Sequence, residues 1–236
     1  MEICPYLAMT AGELGGAEKL PEHLAYMACH FSPYSTGLSN IPGTLPPGSI
    51  LMVNDRTPIC GHDPQRICAE LTEAVEKLSC RGILLDFQRP DFPETARLCK
   101  HLVQTRNCPT CVSHLYAQDL PCPILIPPAP LHTPLEEHLA NWQGREIWLE
   151  IATDAACIRL TKEGASLLPD SYREQEEYTH TDEHLHIDYH IEQQETQVLF
   201  HLRRTPHHLA NLLRQAQSLG ITTALGLYQQ LPPGSM

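Results

Sequence analysis

Asp86 and Gln88 stand two residues apart at the end of an apolar run, Arg81-Gly-Ile-Leu-Leu-Asp-Phe-Gln-Arg-Pro90. In an extended strand Gly82, Leu84, Asp86 and Gln88 share one side, and Ile83, Leu85 and Phe87 share the other. A carboxylate and an amide two residues apart at the C-terminal end of such a strand sit where α/β barrels place their chemistry. The pair has no proton donor of its own. An amide does not release a proton at ordinary pH, and general acid catalysis is typically worth about 10²–10⁴-fold. Asp55 and Glu150 are further carboxylates at predicted strand ends. Other polar residues at predicted strand ends are Asn54, Arg203, Arg204, Tyr228 and Gln229.

These residues need elements that bring them to one place. Apolar runs at Ile3–Met9, Leu24–Phe31, Ser49–Asn54, Arg81–Gln88, Cys111–Leu115, Pro123–Pro127, Glu146–Ala152 and Ile221–Tyr228 read as strands. Helical spacing follows Asp63-Pro64, with Ile67, Cys68, Leu71, Val75 and Leu78 on one face. It recurs from Pro93 to Gln104, with Ala96, Cys99, Leu102 and Val103 inward, and again after Thr133-Pro134 and Thr205-Pro206. Residues 32–48 hold seven Pro and Gly and read as a loop. Strand–helix alternation implies parallel strands joined by right-handed crossovers. A near-continuous apolar strand such as Gly82–Leu85 suits a parallel sheet with both faces buried. The expectation is a TIM-like (β/α)8 barrel, somewhat incomplete, over residues 1–152 and 204–231. Residues 153–203 alternate like antiparallel hairpins and form an insertion before the last βα unit.

The chain has 236 residues, formal net charge −12 and no Lys/Arg block. This argues against nucleic acid and anionic membrane as partners. No run approaches a membrane span, and the N-terminus has neither a basic region nor a long apolar one. Ten cysteines without a secretory leader suggest reduced thiols and a cytoplasmic setting. Cys29, Cys68, Cys99 and Cys157 fall within apolar patterns and read as core residues. Cys108-Pro-Thr-Cys111 is a lone CxxC with no second pair, and no cofactor is expected. His184, His186, Asp188 and His190 alternate with Leu185, Ile187 and Tyr189. On a strand they would share one face at roughly 6.5–7 Å spacing, within reach of a zinc ion. The same alternation is what a half-exposed hairpin produces, and the histidines read as its polar face.

The Arg81–Gln88 stretch resembles strand four of the chitinase-like barrels, glycoside hydrolase family 18, which reads Asp-Gly-x-Asp-x-Asp-x-Glu. Aligned on Gly82, the glycine, the last aspartate (Asp86) and the aromatic Phe87 match. Arg81 and Leu84 replace the first two aspartates. Gln88 stands where the family has its general acid. The closing segment is similar too: Gly220 leads through Thr-Ala-Leu-Gly-Leu to Tyr228, near where the family places a tryptophan at the floor of the sugar site. The family's Met-x-Tyr-Asp strand is not matched by Ile126-Pro127-Pro128-Ala129-Pro130. The resemblance implies an N-acetylated glycan at the C-terminal mouth, touched by Asn54, Asp55, Tyr228 and Gln229. It also implies that Asp86 would steady the substrate's own acetamido group, the nucleophile in this family. Three functions stay open: a binding module with impaired catalysis, a hydrolase with its acid relocated to Glu150 or Asp55, and a scaffold that engages a protein partner.

Overall fold

The apolar runs become a closed barrel because each can bury both faces, one against the barrel axis and one against the surrounding layer. The structure is a computed structural model that describes residues 3, 5–58, 61–105, 109–168 and 178–231. In chain order the elements are β1 (Tyr6–Met9), α1 (Ala11–Gly16), β2 (Leu24–Phe31), β3 (Leu38–Ser39), β4 (Ile50–Asn54), α2 (Pro64–Leu78) and β5 (Gly82–Asp86). Next come α3 (Pro93–Thr105), β6 (Thr110–Ser113), β7 (Ile124–Ile126), α4 (Leu135–Leu139) with a 3₁₀ turn over Ala140–Trp142, and β8 (Ile147–Ile151). The chain then runs through β9 (Asp154–Thr161), β10 (Gly164–Leu168), β11 (His180–Asp182), β12 (Ile187–Gln193) and β13 (Val198–Arg204) to α5 (Pro206–Ser218) and β14 (Thr223–Leu227).

Among the described residues, β1, β2, β4, β5, β6, β7, β8 and β14 pair in parallel around a full circle, closed by β1 against both β14 and β2. This is a TIM-like α/β barrel. The short β3 pairs antiparallel with β2 outside the circle. Strand alternation sorts the core as expected. Tyr6, Ala25, Ile50, Met52, Leu84, Cys111, Leu125, Trp148 and Leu225 fill the barrel interior. Ile83, Leu85 and Phe87 face outward with Ile67, Leu71, Leu98 and Leu102 of α2 and α3.

Some crossover helices are short or absent, and specific side chains compensate. The β6–β7 connection has no helix. Arg145 holds it instead, its guanidinium donating to the carbonyls of Gln118 at 3.0 Å, Ala117 at 3.3 Å and Cys122 at 3.1 Å. Close approach of β5 and the segment entering β6 requires Gly82. A Cβ there would lie 2.7 Å from the Pro109 carbonyl oxygen, which also accepts the Ile83 N–H at 3.0 Å.

The second sheet is antiparallel, in the order β10-β9-β13-β12-β11, and follows directly on β8. Leu131, before α4, packs with Ile187 and Leu202 to anchor this sheet on the barrel. Arg204 deepens the anchor. It is only 2% exposed, and its two Nη atoms donate to the carbonyls of Ala129 at 2.7 Å and Leu185 at 3.2 Å.

Several local expectations need correction. β5 stops at Asp86, so Gln88 lies in the following loop rather than in the strand. Asp63 caps α2 by accepting the Gln65 N–H, but Thr133 does not cap α4. That helix starts one residue later, because the Thr133 N–H closes a turn to the Pro130 carbonyl. Ala96 is exposed, and Thr95 and Leu98 take the inward positions of α3. His184 and His186 are not on a strand. The Asp182 carboxylate accepts the N–H groups of His184 and Leu185, which turns the chain there and leaves His186 at φ 52°.

Candidate functional site

At the C-terminal mouth the last inward residues of neighbouring strands form one layer. Asn54 of β4 pairs in register with Asp86 of β5, and Glu150 of β8 pairs with Leu225 of β14. A one-residue bulge in β2 between Tyr26 and Cys29 offsets its pairing with β4. The Met27 carbonyl in that bulge accepts the Asn54 side-chain N–H at 2.9 Å. Bulges commonly re-aim backbone beside sites of this kind. Asn54 Oδ1 also accepts the Arg56 N–H at 3.1 Å, so this amide is held from both sides.

Two cavities meet at Asp86. One, of 170 Å³, is sunk in the barrel axis. Its walls are Ala8, Met27, Met52, Pro128, Leu225 and Leu227, and it carries the carboxyls of Asp86 and Glu150. The other, of 520 Å³, opens beside it. It is lined by residues that include Thr10, His30, Asn40, Asn54, Asp55, Arg56, Asp86 and Gln88. Asp86 and Met27 belong to both. Together they form a cleft with an apolar floor and a polar upper wall, the usual character of small-ligand sites.

The electrostatics follow from burial. Burial pushes the Asp86 carboxyl above its ordinary value. The hydrogen bond from Gln88 Nε2–H to Asp86 Oδ1 opposes this, and the neighbouring Asp55 adds to it. Glu150 is pushed up to about 7 by burial and by the Asp86 charge. Two carboxyls in one cavity resist ionising together, so the one without an amide partner keeps its proton longer.

Gln88 is exposed, yet its loop is pinned on both sides. Ser113 Oγ donates to the Phe87 carbonyl at 2.7 Å. The Arg89 N–H donates to Asp55 Oδ2 at 2.8 Å, and Tyr116 Oη donates to the Arg89 carbonyl. Asp55, 7% exposed, therefore braces the loop that carries Gln88 as well as bordering the cleft. At the opposite rim burial pushes Glu13 up, but hydrogen bonds from Thr10 and Gln229 outweigh it and hold this carboxyl below its ordinary value.

Asn54, Asp55, Asp86, Gln88 and Glu150 are thus brought to one mouth. Tyr228 is not. It follows the end of β14, donates its N–H to the Ala8 carbonyl at 3.1 Å, and packs among the outer core residues. Strand parity gives the mouth position to Leu227, which is 39% exposed and lines the axial cavity. Arg203 and Arg204 lie away from the mouth. Arg203 pairs with Asp188 at 3.5 Å and covers the Tyr178 ring. His186 meets Gln215 at 2.8 Å, whereas His190 faces His201 with ring centroids 6.3 Å apart. Among the described residues no three His, Cys, Asp or Glu side chains converge to hold a metal. Cys108 of the CxxC lies outside the described residues. Sequence reasoning missed His30, Asn40 and Met27. His30 was open to discovery, since it sits at the mouth end of the second predicted strand, but nothing local marks the bulge that presents Met27.

No protein-family model matches the chain, and no curated protein sequence matches it. Solved structures do. A class V chitinase from Nicotiana tobaccum, a glutamate-to-glutamine mutant in complex with NAG4, superposes with TM-score 0.59 at 9% identity, over 96% of this chain and 93% of that one. A GH18 chitinase from Cycas revoluta, a double mutant that also exchanges a glutamate for glutamine, in complex with (GlcNAc)4, gives TM-score 0.56 at 11% identity, over 94% of both chains. The Bacillus cereus spore cortex-lytic enzyme SleL gives TM-score 0.50 at 11% identity. The match covers 86% of this chain, which spans only 63% of that enzyme's length. The fold is that of the chitinase-like family 18 barrels.

Proposed function

We propose that the chain binds an N-acetylated glycan in the cleft at the C-terminal mouth of its barrel, with position 88 serving ligand binding rather than proton donation. The observation that carries this reading is the Gln88–Asp86 hydrogen bond at the junction of the two cavities. The amide orients Asp86, leaving the second carboxylate oxygen to accept an acetamido N–H. The apolar walls, Met27, Met52 and Leu227, suit a methyl group or a sugar face. Two of the structural neighbours carry glutamine in place of a glutamate and hold a (GlcNAc)4 or NAG4 ligand, which favours an N-acetylglucosamine polymer over a plain glucan.

Asn54, Asp55 and Gln229 are proposed as polar contacts or braces around the ligand, and the barrel with residues 153–203 inserted is proposed as one functional unit. A reducing, cytoplasmic setting is proposed from the cysteine content. No helix among the described residues is long and apolar enough to cross a membrane.

Calorimetry and thermal shift with N-acetylglucosamine oligomers, muramyl fragments and glucans test the reading. A ligand that binds the folded state raises its apparent stability by mass action. The expected result is a dose-dependent shift with the N-acetylated oligomers that Asp86→Ala abolishes. Equal shifts with plain glucans, or none with any sugar at millimolar concentration, overturn it.

A further inference from the structure

We propose that Glu150 is the proton donor of this cleft: carried by β8 and facing Asp86 across one cavity, it protonates the leaving glycosidic oxygen of a bound N-acetylated glycan. The inference rests on the glycan reading and adds chemistry to it. Three observations lead to it. Asp86 and Glu150 line the same cavity from strands separated by β6 and β7, and among the described residues of the intervening segment only Pro128 reaches that lining. The remaining walls are apolar, so the cavity gives a charged carboxylate little solvation. Finally, the two carboxyls differ in their partners. Gln88 donates to Asp86, which favours its ionised form, whereas Glu150 has burial and the Asp86 charge against ionisation and is raised to about 7. Burial raises both carboxyls, but only Asp86 has the opposing hydrogen bond from Gln88, and paired carboxyls in such unequal environments divide the acid and base roles between them.

Among the described residues Cys111 of β6 also faces Glu150, and burial drives its thiol well up, so that it is neutral. β1, β2 and β14 present Ala8, Met27, Leu225 and Leu227. The step is balanced as follows. The Glu150 proton passes to the glycosidic oxygen as the C1–O bond breaks, and the acetamido oxygen of the same sugar bonds to C1. Asp86 accepts the acetamido N–H and meets the positive charge that develops there. Water then attacks C1, its proton returns to Glu150, and the acetamido group is released. The net reaction is hydrolysis.

The test uses the full chain and two substrates: the N-acetylglucosamine tetramer, and a 2,4-dinitrophenyl glycoside of its dimer, whose leaving group departs without protonation. Binding is read by calorimetry and cleavage by mass spectrometry and absorbance. Glu150→Gln is expected to slow tetramer cleavage by about 10²-fold or more, while the first-turnover release of dinitrophenolate, which needs no proton, is slowed far less. The basic limb of the tetramer pH–rate profile is expected to disappear with it. Tetramer binding by the unaltered protein without cleavage of either substrate overturns the inference and leaves the glycan reading standing. Tetramer cleavage that Glu150→Gln does not slow also overturns it. Absence of binding removes both.

Discussion

Asp86 and Glu150 face the same 170 Å³ cavity from β5 and β8, and the Asp86 charge raises the tendency of Glu150 to keep its proton. One sits under an amide that donates to it, and the other among apolar walls. That asymmetry makes Glu150, raised to about 7, the carboxyl of the pair that changes charge near neutral pH, and it carries direct consequences for stability.

Glu150 makes the fold sensitive to alkali. Its folded value is raised from 4.5 to about 7, so the folded state holds the proton more tightly than the unfolded chain. This contribution is fully present below pH 4.5 and is lost as pH rises through 7. At about 1.4 kcal/mol per unit, the loss is about 3 kcal/mol. Urea unfolding at pH 4 and pH 9 is expected to show Glu150→Gln gaining on the unaltered protein by an amount of this order at the higher pH. A pH-independent difference between the two proteins contradicts it.

Asp86→Asn removes the charge that opposes Glu150. The Glu150 titration, followed by carbon-13 carboxyl shifts, is expected to move down from about 7 toward the value burial alone sets. An unmoved titration would place the two carboxyls out of electrostatic contact.

Gly82→Ala forces a Cβ to 2.7 Å from the Pro109 carbonyl oxygen, a backbone atom already engaged by the Ile83 N–H. The strand β5 and the entry to β6 must separate. The expected cost is about 2 kcal/mol, in the range of overpacked cores, read as a lowered urea midpoint. Because Asp86 lies on the same strand, the proposed glycan affinity is expected to fall as well.

Arg204→Met keeps much of the side-chain volume but withdraws the donors that satisfy the Ala129 and Leu185 carbonyls. Leaving such buried acceptors unpaired costs about 1–3 kcal/mol each. Hydrogen exchange is expected to rise at the joint between the antiparallel sheet and α4 more than in the barrel interior. Uniform exchange across the molecule would argue that Arg204 anchors nothing in particular.

His208 gives the opposite, acid-side dependence. Its Nδ1 accepts the Thr205 N–H at 3.1 Å, and its Nε2 faces Asp188 at 3.4 Å. Burial lowers its affinity for a proton. Asp188 opposes this, while His207, His186 and Arg204 add to it. The folded state thus binds this proton less readily than the unfolded chain. Its contribution is complete above the ordinary histidine value, about 6.5, and is lost as pH falls below it. His208→Gln is expected to flatten the fall in melting temperature between pH 7 and pH 5, and an unchanged slope would assign that fall to other groups.

The sequence by itself determined the barrel. Apolar runs with the right alternation, punctuated by Gly and Pro, specify parallel strands and their helices locally, and Leu84 inward with Ile83 and Leu85 outward already aims Asp86 at the axis. The glycine in the Arg81–Gln88 stretch was legible as a motif match, but its cause, the approach of Pro109, was not. Local turn chemistry overrode strand alternation at His184 and His186, where Asp182 captures the backbone. Tyr228 lost the mouth to Leu227 through a parity that depends on where β14 ends. The protonation of Glu150 belongs wholly to the tertiary structure. Burial depth and the distance to Asp86 arise only when β6 and β7 place β5 and β8 around one axis, and no local pattern in the chain encodes either.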